Sequence, residues 1–185
     1  MKAGNRRVWM IGGAAAAASA GIGLSWWRSS SQPGITVAAA PTAPPAAPTD
    51  LWAQRFERPA GGELVMAEMR GKPLLLNFWA TWCAPCVAEM PMLDTFQREH
   101  ADSGWRVVGL AVDNPDPVRE FVVQRKVSFA IGLVGFAGAD LARDLGNTSG
   151  ALPFSVVFNR EGKVQHRKLG ALKAEDLAQW AKALS

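Results

Sequence analysis

A short apolar run, Leu74-Leu75-Leu76-Asn77-Phe78-Trp79, leads through Ala80-Thr81-Trp82 into Cys83-Ala84-Pro85-Cys86, and a helical pattern begins at the second cysteine. Six residues broken only by Asn77 read as a strand buried on both faces. Such a strand needs covering layers on both sides of its sheet, which directs the chain to an α/β architecture. Cys83 and Cys86 are the only cysteines, so all of the thiol chemistry sits at this strand-to-helix junction. A Cys-x-x-Cys pair placed there can close and open reversibly, because the helix N-terminus stabilises the first thiolate. The chemistry it points to is electron transfer through a dithiol.

Two other uses of the pair are weaker. A structural zinc site takes about four ligands, and only His100 and His166 could join the thiols, neither at ligand spacing from the other. No metal and no cofactor are therefore expected. A purely structural disulfide gains most from a long loop, and this one would span two residues.

The rest of the domain alternates strand and helix. Phe56 to Arg58 and Glu63 to Met66 flank Pro59-Ala60-Gly61-Gly62 and read as a hairpin. A helix is expected from Cys86 to His100, with Val87, Met90, Leu93 and Phe96 inward and Pro91 bending it. Trp105 to Val112 is a second buried strand. Asp116 as N-cap and Pro117 at the first position open a helix through Arg125, with Val118, Phe121 and Val122 inward. Phe129 to Val134 is a short strand, and Ala139 to Leu145 a short helix stopped by Gly146. Phe154 to Phe158 and Lys163 to Leu169 form a hairpin, and Lys173 to Leu184 closes the chain as a helix. These units predict a mixed central sheet flanked by helices, and no internal repeat is visible.

Charge is unevenly placed. The formal net charge is +4, but Lys2, Arg6, Arg7 and Arg28 precede residue 50 with no acid among them, leaving sixteen basic against sixteen acidic residues from Asp50 to Ser185. A neutral domain removes the main support for nucleic-acid binding. Val8 to Trp27 is uncharged and long enough to cross a bilayer, with basic residues ahead of it and Trp26-Trp27-Arg28 behind. Residues 1–28 are thus read as a signal anchor or signal peptide. Ala18-Ser19-Ala20 offers a peptidase site, and Arg6-Arg7 a twin-arginine pair. Residues 29–50, rich in Pro and Ala, read as an extended linker, and 51–185 as the globular domain.

The stretch Gly71-Lys72-Pro73 through Cys86, followed by Glu89-Met90-Pro91, resembles the signature of the thioredoxin superfamily, in particular its exported TlpA-like and ResA-like thiol-disulfide oxidoreductases. The resemblance spans roughly Leu51 to Ser185 and includes Leu152-Pro153 before the hairpin. It implies a thioredoxin-like fold with an N-terminal hairpin and a central helical insertion.

The resemblance also assigns roles. Cys83 corresponds to the exposed attacking cysteine and Cys86 to the buried resolving one. Pro153 matches the cis-proline beside the dithiol, with Leu152 contacting substrate, and Trp82 matches the surface indole of the docking patch. Trp79, Trp105 and Trp180 are read as core. Ala84 and Pro85 tune the redox potential, and Ala-Pro is closer to the Gly-Pro of reducing thioredoxins than to the Pro-His of strong oxidases. Glu89, one turn after Cys86, is expected to move protons at Cys86. A solvated helix charge is the competing reading of Glu89. Relatives often carry Thr after the cis-proline and Asp at the end of that strand, where this chain has Phe154-Ser155 and Asn159.

The expected function is disulfide reduction in protein substrates on the periplasmic side of the cytoplasmic membrane, in cytochrome c maturation or at metal-site thiols. A membrane thiol-electron transporter would recharge the dithiol, and the N-terminal segment would associate with the membrane. The alternatives are a periplasmic disulfide oxidase and a thioredoxin-like binding module assisting metal delivery.

Overall fold

The computed structural model describes residues 50–184. The segments read as export signal and linker, up to residue 49, lie outside the described residues. Among those described, no helix is long and apolar enough to cross a membrane.

Seven strands form one mixed sheet: β1 (Arg55–Glu57), β2 (Glu63–Val65), β3 (Leu74–Trp79), β4 (Arg106–Ala111), β5 (Ala130–Leu133), β6 (Phe154–Phe158) and β7 (Val164–Leu169). Their spatial order is β2-β1-β5-β4-β3-β6-β7. The three inner strands β5, β4 and β3 run parallel, while β1 and β6 join them antiparallel. Among the described residues α1 (Ala84–His100), α2 (Pro115–Arg125) and α3 (Gly138–Asp144) connect successive strands, and α4 (Ala174–Ala183) follows β7. Between β4 and β6, where a central helical insertion was expected, lie α2, β5 and α3.

The alternation of side chains along β3 divides the interior in two. Leu75 and Trp79 join the core beneath α1, α2 and α4, with Met90, Leu93, Phe96, Val118, Leu177 and Trp180. Leu74, Leu76 and Phe78 face the opposite core, with Leu51, Met66, Leu141 and Phe154. Asn77, between Leu76 and Phe78, therefore points to the α1 side, and every residue of β3 is buried.

Close approach explains Gly109 on β4. A Cβ there would lie 2.7 Å from Ile131 Cδ1 and 3.0 Å from Trp79 Nε1, so only glycine admits the indole. Gly162, with a φ of 77°, occupies the tight β6–β7 turn and lies against the Trp52 ring.

Two helix starts lie two residues before the sequence reading, and the other two lie within one residue of it. Helix α1 begins at Ala84, with Cys83 as N-cap, and runs on through Pro91. Pro85 fits its first turn because an N–H there would have no helical acceptor. Helix α2 begins at Pro115 with Asn114, not Asp116, as N-cap. Both Pro115 and Pro117 fit that first turn for the same reason.

One buried acid on α1 fastens the helix to the segment that leads from α2 into β5. Asp94 Oδ1 accepts from the Ser128 backbone N–H at 2.7 Å and from its hydroxyl at 2.6 Å, and Arg98 pairs with Oδ2. Burial pushes the Asp94 carboxyl up, but the Ser128 and Arg98 interactions outweigh it and leave the group below the usual range.

Candidate functional site

The site forms where β3 ends. Cys83 and Cys86 are joined in a disulfide across the first turn of α1. Cys83 caps a helix of 17 residues, so a thiolate formed there would meet the positive end of its dipole. Cys83 is less exposed than expected: it retains 6% of its surface and Cys86 none. The reason is that both sulfurs belong to the apolar cluster beneath α1. Ala84 and Pro85 are exposed, and Trp82 stands out at 64%.

A residue absent from the sequence expectations holds this loop. Asp113, buried just after β4, accepts from the Thr81 backbone N–H at 2.8 Å and from the Thr81 hydroxyl at 2.6 Å through Oδ2. Its Oδ1 accepts from Asn114 N–H at 2.7 Å. The acid thus fastens the loop two residues before Cys83 to the neighbouring strand. Its position beyond the carboxyl end of a parallel strand, where α/β proteins gather their site residues, was the available signal. Asp113→Ala strands the Thr81 donor and should cost about 1–3 kcal/mol, read as a lower urea midpoint.

The peptide bond between Leu152 and Pro153 is cis, as the resemblance implied. Phe154 pairs with Phe78, so Pro153 lies beside the end of β3 from which the dithiol loop emerges. Leu152 is half-buried and packs against the cluster that contains both cysteines. The structure thus brings Cys83, Cys86, Leu152 and Pro153 together at the end of β3.

Glu89 is not a solvated charge. It is 4% exposed, and its carboxylate accepts from Asn77 Nδ2 at 2.8 Å and from the Leu172 backbone N–H at 2.7 Å. Asn77 Nδ2 also donates to Ser155 Oγ at 3.0 Å. Burial raises the proton affinity of Glu89 above the ordinary glutamate range, against the opposing pull of Leu172, Asn77 and Lys168. The folded state therefore holds this proton more tightly than the unfolded chain. Its contribution to stability is full below the unfolded-state value and is lost as pH rises through the folded value.

Asn77 suits both protonation states of Glu89. Its Oδ1 is buried without a hydrogen-bond partner. Half a turn of the amide would offer that oxygen to a protonated Glu89 and to the Ser155 hydroxyl, while the other Glu89 oxygen keeps the Leu172 N–H. A buried carboxyl one helical turn from Cys86, with partners for both of its states, can take up and return a proton. Among the described residues no cluster of His, Cys, Asp and Glu is arranged to hold a metal.

Comparisons with known proteins agree with this geometry. The Redoxin family profile matches residues 48–184. The thiol-disulfide oxidoreductase ResA of Bacillus thuringiensis (strain Al Hakam) is 29% identical over 128 residues, covering 68% of this chain and 70% of the relative. Sporulation thiol-disulfide oxidoreductase A of Bacillus subtilis (strain 168) is 27% identical over 123 residues, covering 64% and 72%. A thiol:disulfide interchange protein of the thioredoxin family from Chlorobium tepidum TLS superposes with a TM-score of 0.63 at 25% identity, covering 75% of this chain and 97% of that one. StoA from Bacillus subtilis shares the fold, with a TM-score of 0.57 at 24% identity, over 69% of this chain and 94% of that one. The chain belongs to the Redoxin family, and its sequence is similar to the ResA-type thiol-disulfide oxidoreductases.

Proposed function

We propose that this protein is a thiol-disulfide oxidoreductase that works as a disulfide reductase on protein substrates outside the cytoplasmic membrane. The observation that carries the reading is the Cys83–Cys86 disulfide at the start of α1 with the buried Glu89 carboxyl on the same helix. In the reduced protein, the Cys83 thiolate attacks a substrate disulfide, forms a mixed disulfide and releases one substrate thiolate. Glu89 accepts the proton of the Cys86 thiol. The Cys86 thiolate then attacks Cys83 Sγ, closes the internal disulfide and expels the second substrate thiolate. The substrate gains two electrons and the dithiol loses two.

Substrate docking is assigned to Trp82, Ala84 and Pro85 on one side of the dithiol and to Leu152 and Pro153 on the other. Apocytochrome c and metal-site thiols are the substrate classes proposed, with a membrane thiol-electron transporter returning electrons to the dithiol. The uncharged segment 8–27 supports an extracytoplasmic location, either anchored or released after cleavage.

Direction is tested by the reduction potential. The Ala84-Pro85 pair supports a value nearer the roughly −270 mV of thioredoxin than the roughly −120 mV of a strong oxidant. Equilibration with dithiothreitol redox buffers measures it, and a value at the oxidising end would replace reductase by oxidase.

A further inference from the structure

Four residues form one cross-strand row on the α1 side of the sheet. Gly109 pairs with Asn77, Asn77 with Ser155, and Ser155 with Lys168. Residues opposite one another in a ladder share a face, so Lys168 on β7 points to the same side as Asn77, two strands away. Its side chain is only 26% exposed and forms an ion pair with Asp176 on α4, itself 24% exposed.

The segment before α4 ties this pair to Glu89. The Leu172 N–H donates to Glu89 Oε2 at 2.7 Å, and the next N–H, of Lys173, donates to Asp176 Oδ2 at 2.8 Å. Adjacent amides thus hold the site carboxylate and the partner of Lys168. The other charged and titratable groups on these elements lie elsewhere: His166 stacks on Trp180, Arg167 donates to the Leu145 carbonyl, and Lys173, Glu175 and Lys182 are exposed. Asn77 and Ser155 are neutral. Lys168 and Asp176 are therefore the charges set between Glu89 and solvent on this side.

We propose that the Lys168–Asp176 pair sets the pH at which Glu89 exchanges a proton with Cys86. Lys168 favours the ionised carboxylate, and Asp176 limits that effect by pairing with the ammonium and by opposing a second negative charge. The attraction of Lys168 for Glu89 and the depression of Asp176 by its hydrogen bond to Lys168 are in keeping with this arrangement. Both residues are positioning residues, remote from the sulfurs, and the inference rests on the proposed proton role of Glu89.

The test follows turnover of a disulfide-bonded peptide by the full chain across pH, with dithiothreitol supplying electrons. The limb that reports on the Cys86–Glu89 pair should move to higher pH in Lys168→Met and to lower pH in Asp176→Asn, by about half a pH unit or more each. Lys168→Arg should restore the wild-type position, which loss of packing alone would not predict. Glu89→Gln separates the two claims. If Glu89→Gln removes the limb while Lys168→Met and Asp176→Asn leave it in place or move it the same way, the proposed tuning is wrong and the role of Glu89 stands. If Glu89→Gln leaves the limb intact, the role of Glu89 is wrong and the tuning falls with it.

Discussion

Cys83→Ser should lower thiol–disulfide exchange by about three orders of magnitude or more, because a serine hydroxyl at neutral pH supplies almost no nucleophile and cannot form the mixed disulfide. Cys86→Ser has a different signature. Cys83 can still attack, but nothing resolves the adduct, so the variant should accumulate covalently bound partner while turnover falls to a similar extent. Non-reducing gels and mass spectrometry of the captured species distinguish the two variants, and the Cys86→Ser adduct identifies the substrate. Equal and undiminished exchange by both variants would exclude dithiol chemistry. Exchange lost in both with no adduct from Cys86→Ser in the native compartment would favour a module that binds partners without covalent transfer.

The second large effect is on stability. Trp79 is fully buried, its ring lies 5.1 Å from that of Phe121, and its indole fills the space over Gly109. Trp79→Ala would remove the side chain that links β3, β4 and α2, at an expected cost of about 3–5 kcal/mol. The indole N–H has no hydrogen-bond partner, so Trp79→Phe sacrifices apolar area but no hydrogen bond and should cost only about 1–2 kcal/mol. Urea unfolding with unchanged slope measures both. If the two variants lost equal stability, the indole nitrogen rather than ring burial would have to be carrying the site.

Strands were legible in the sequence where burial on both faces leaves a nearly continuous apolar run, broken only by Asn77 in Leu74–Trp79 and by Ser155 in Phe154–Phe158. The dithiol was legible from its residues and their place at a strand-to-helix junction, whereas the cis-proline was legible only through a resemblance to known proteins. Helix starts were harder to read, since Pro85, Pro115 and Pro117 all fit a first turn and composition does not say which residue caps it. The polar contacts were least visible. Glu89 meets Leu172 across 83 positions, Asn77 meets Ser155 across 78, and Thr81 meets Asp113 across 32. Each depends on which strands become neighbours, and no local period records that. Asp94 shows the same limit, because a lone acid on a helix reads as surface until Ser128 is brought against it.

The burial of the two sulfurs bears on chemical durability. Thiolates in contact with solvent are carried by peroxide through sulfenic to sulfinic acid, and the later steps are irreversible. Here Cys86 has no accessible surface and Cys83 only an edge. In the disulfide form neither sulfur offers a thiolate to a diffusing oxidant. In this form the sulfurs stay intact in an oxidising medium, and on the proposed function the same covering makes a docked substrate, more than a dissolved oxidant, the species able to reach them.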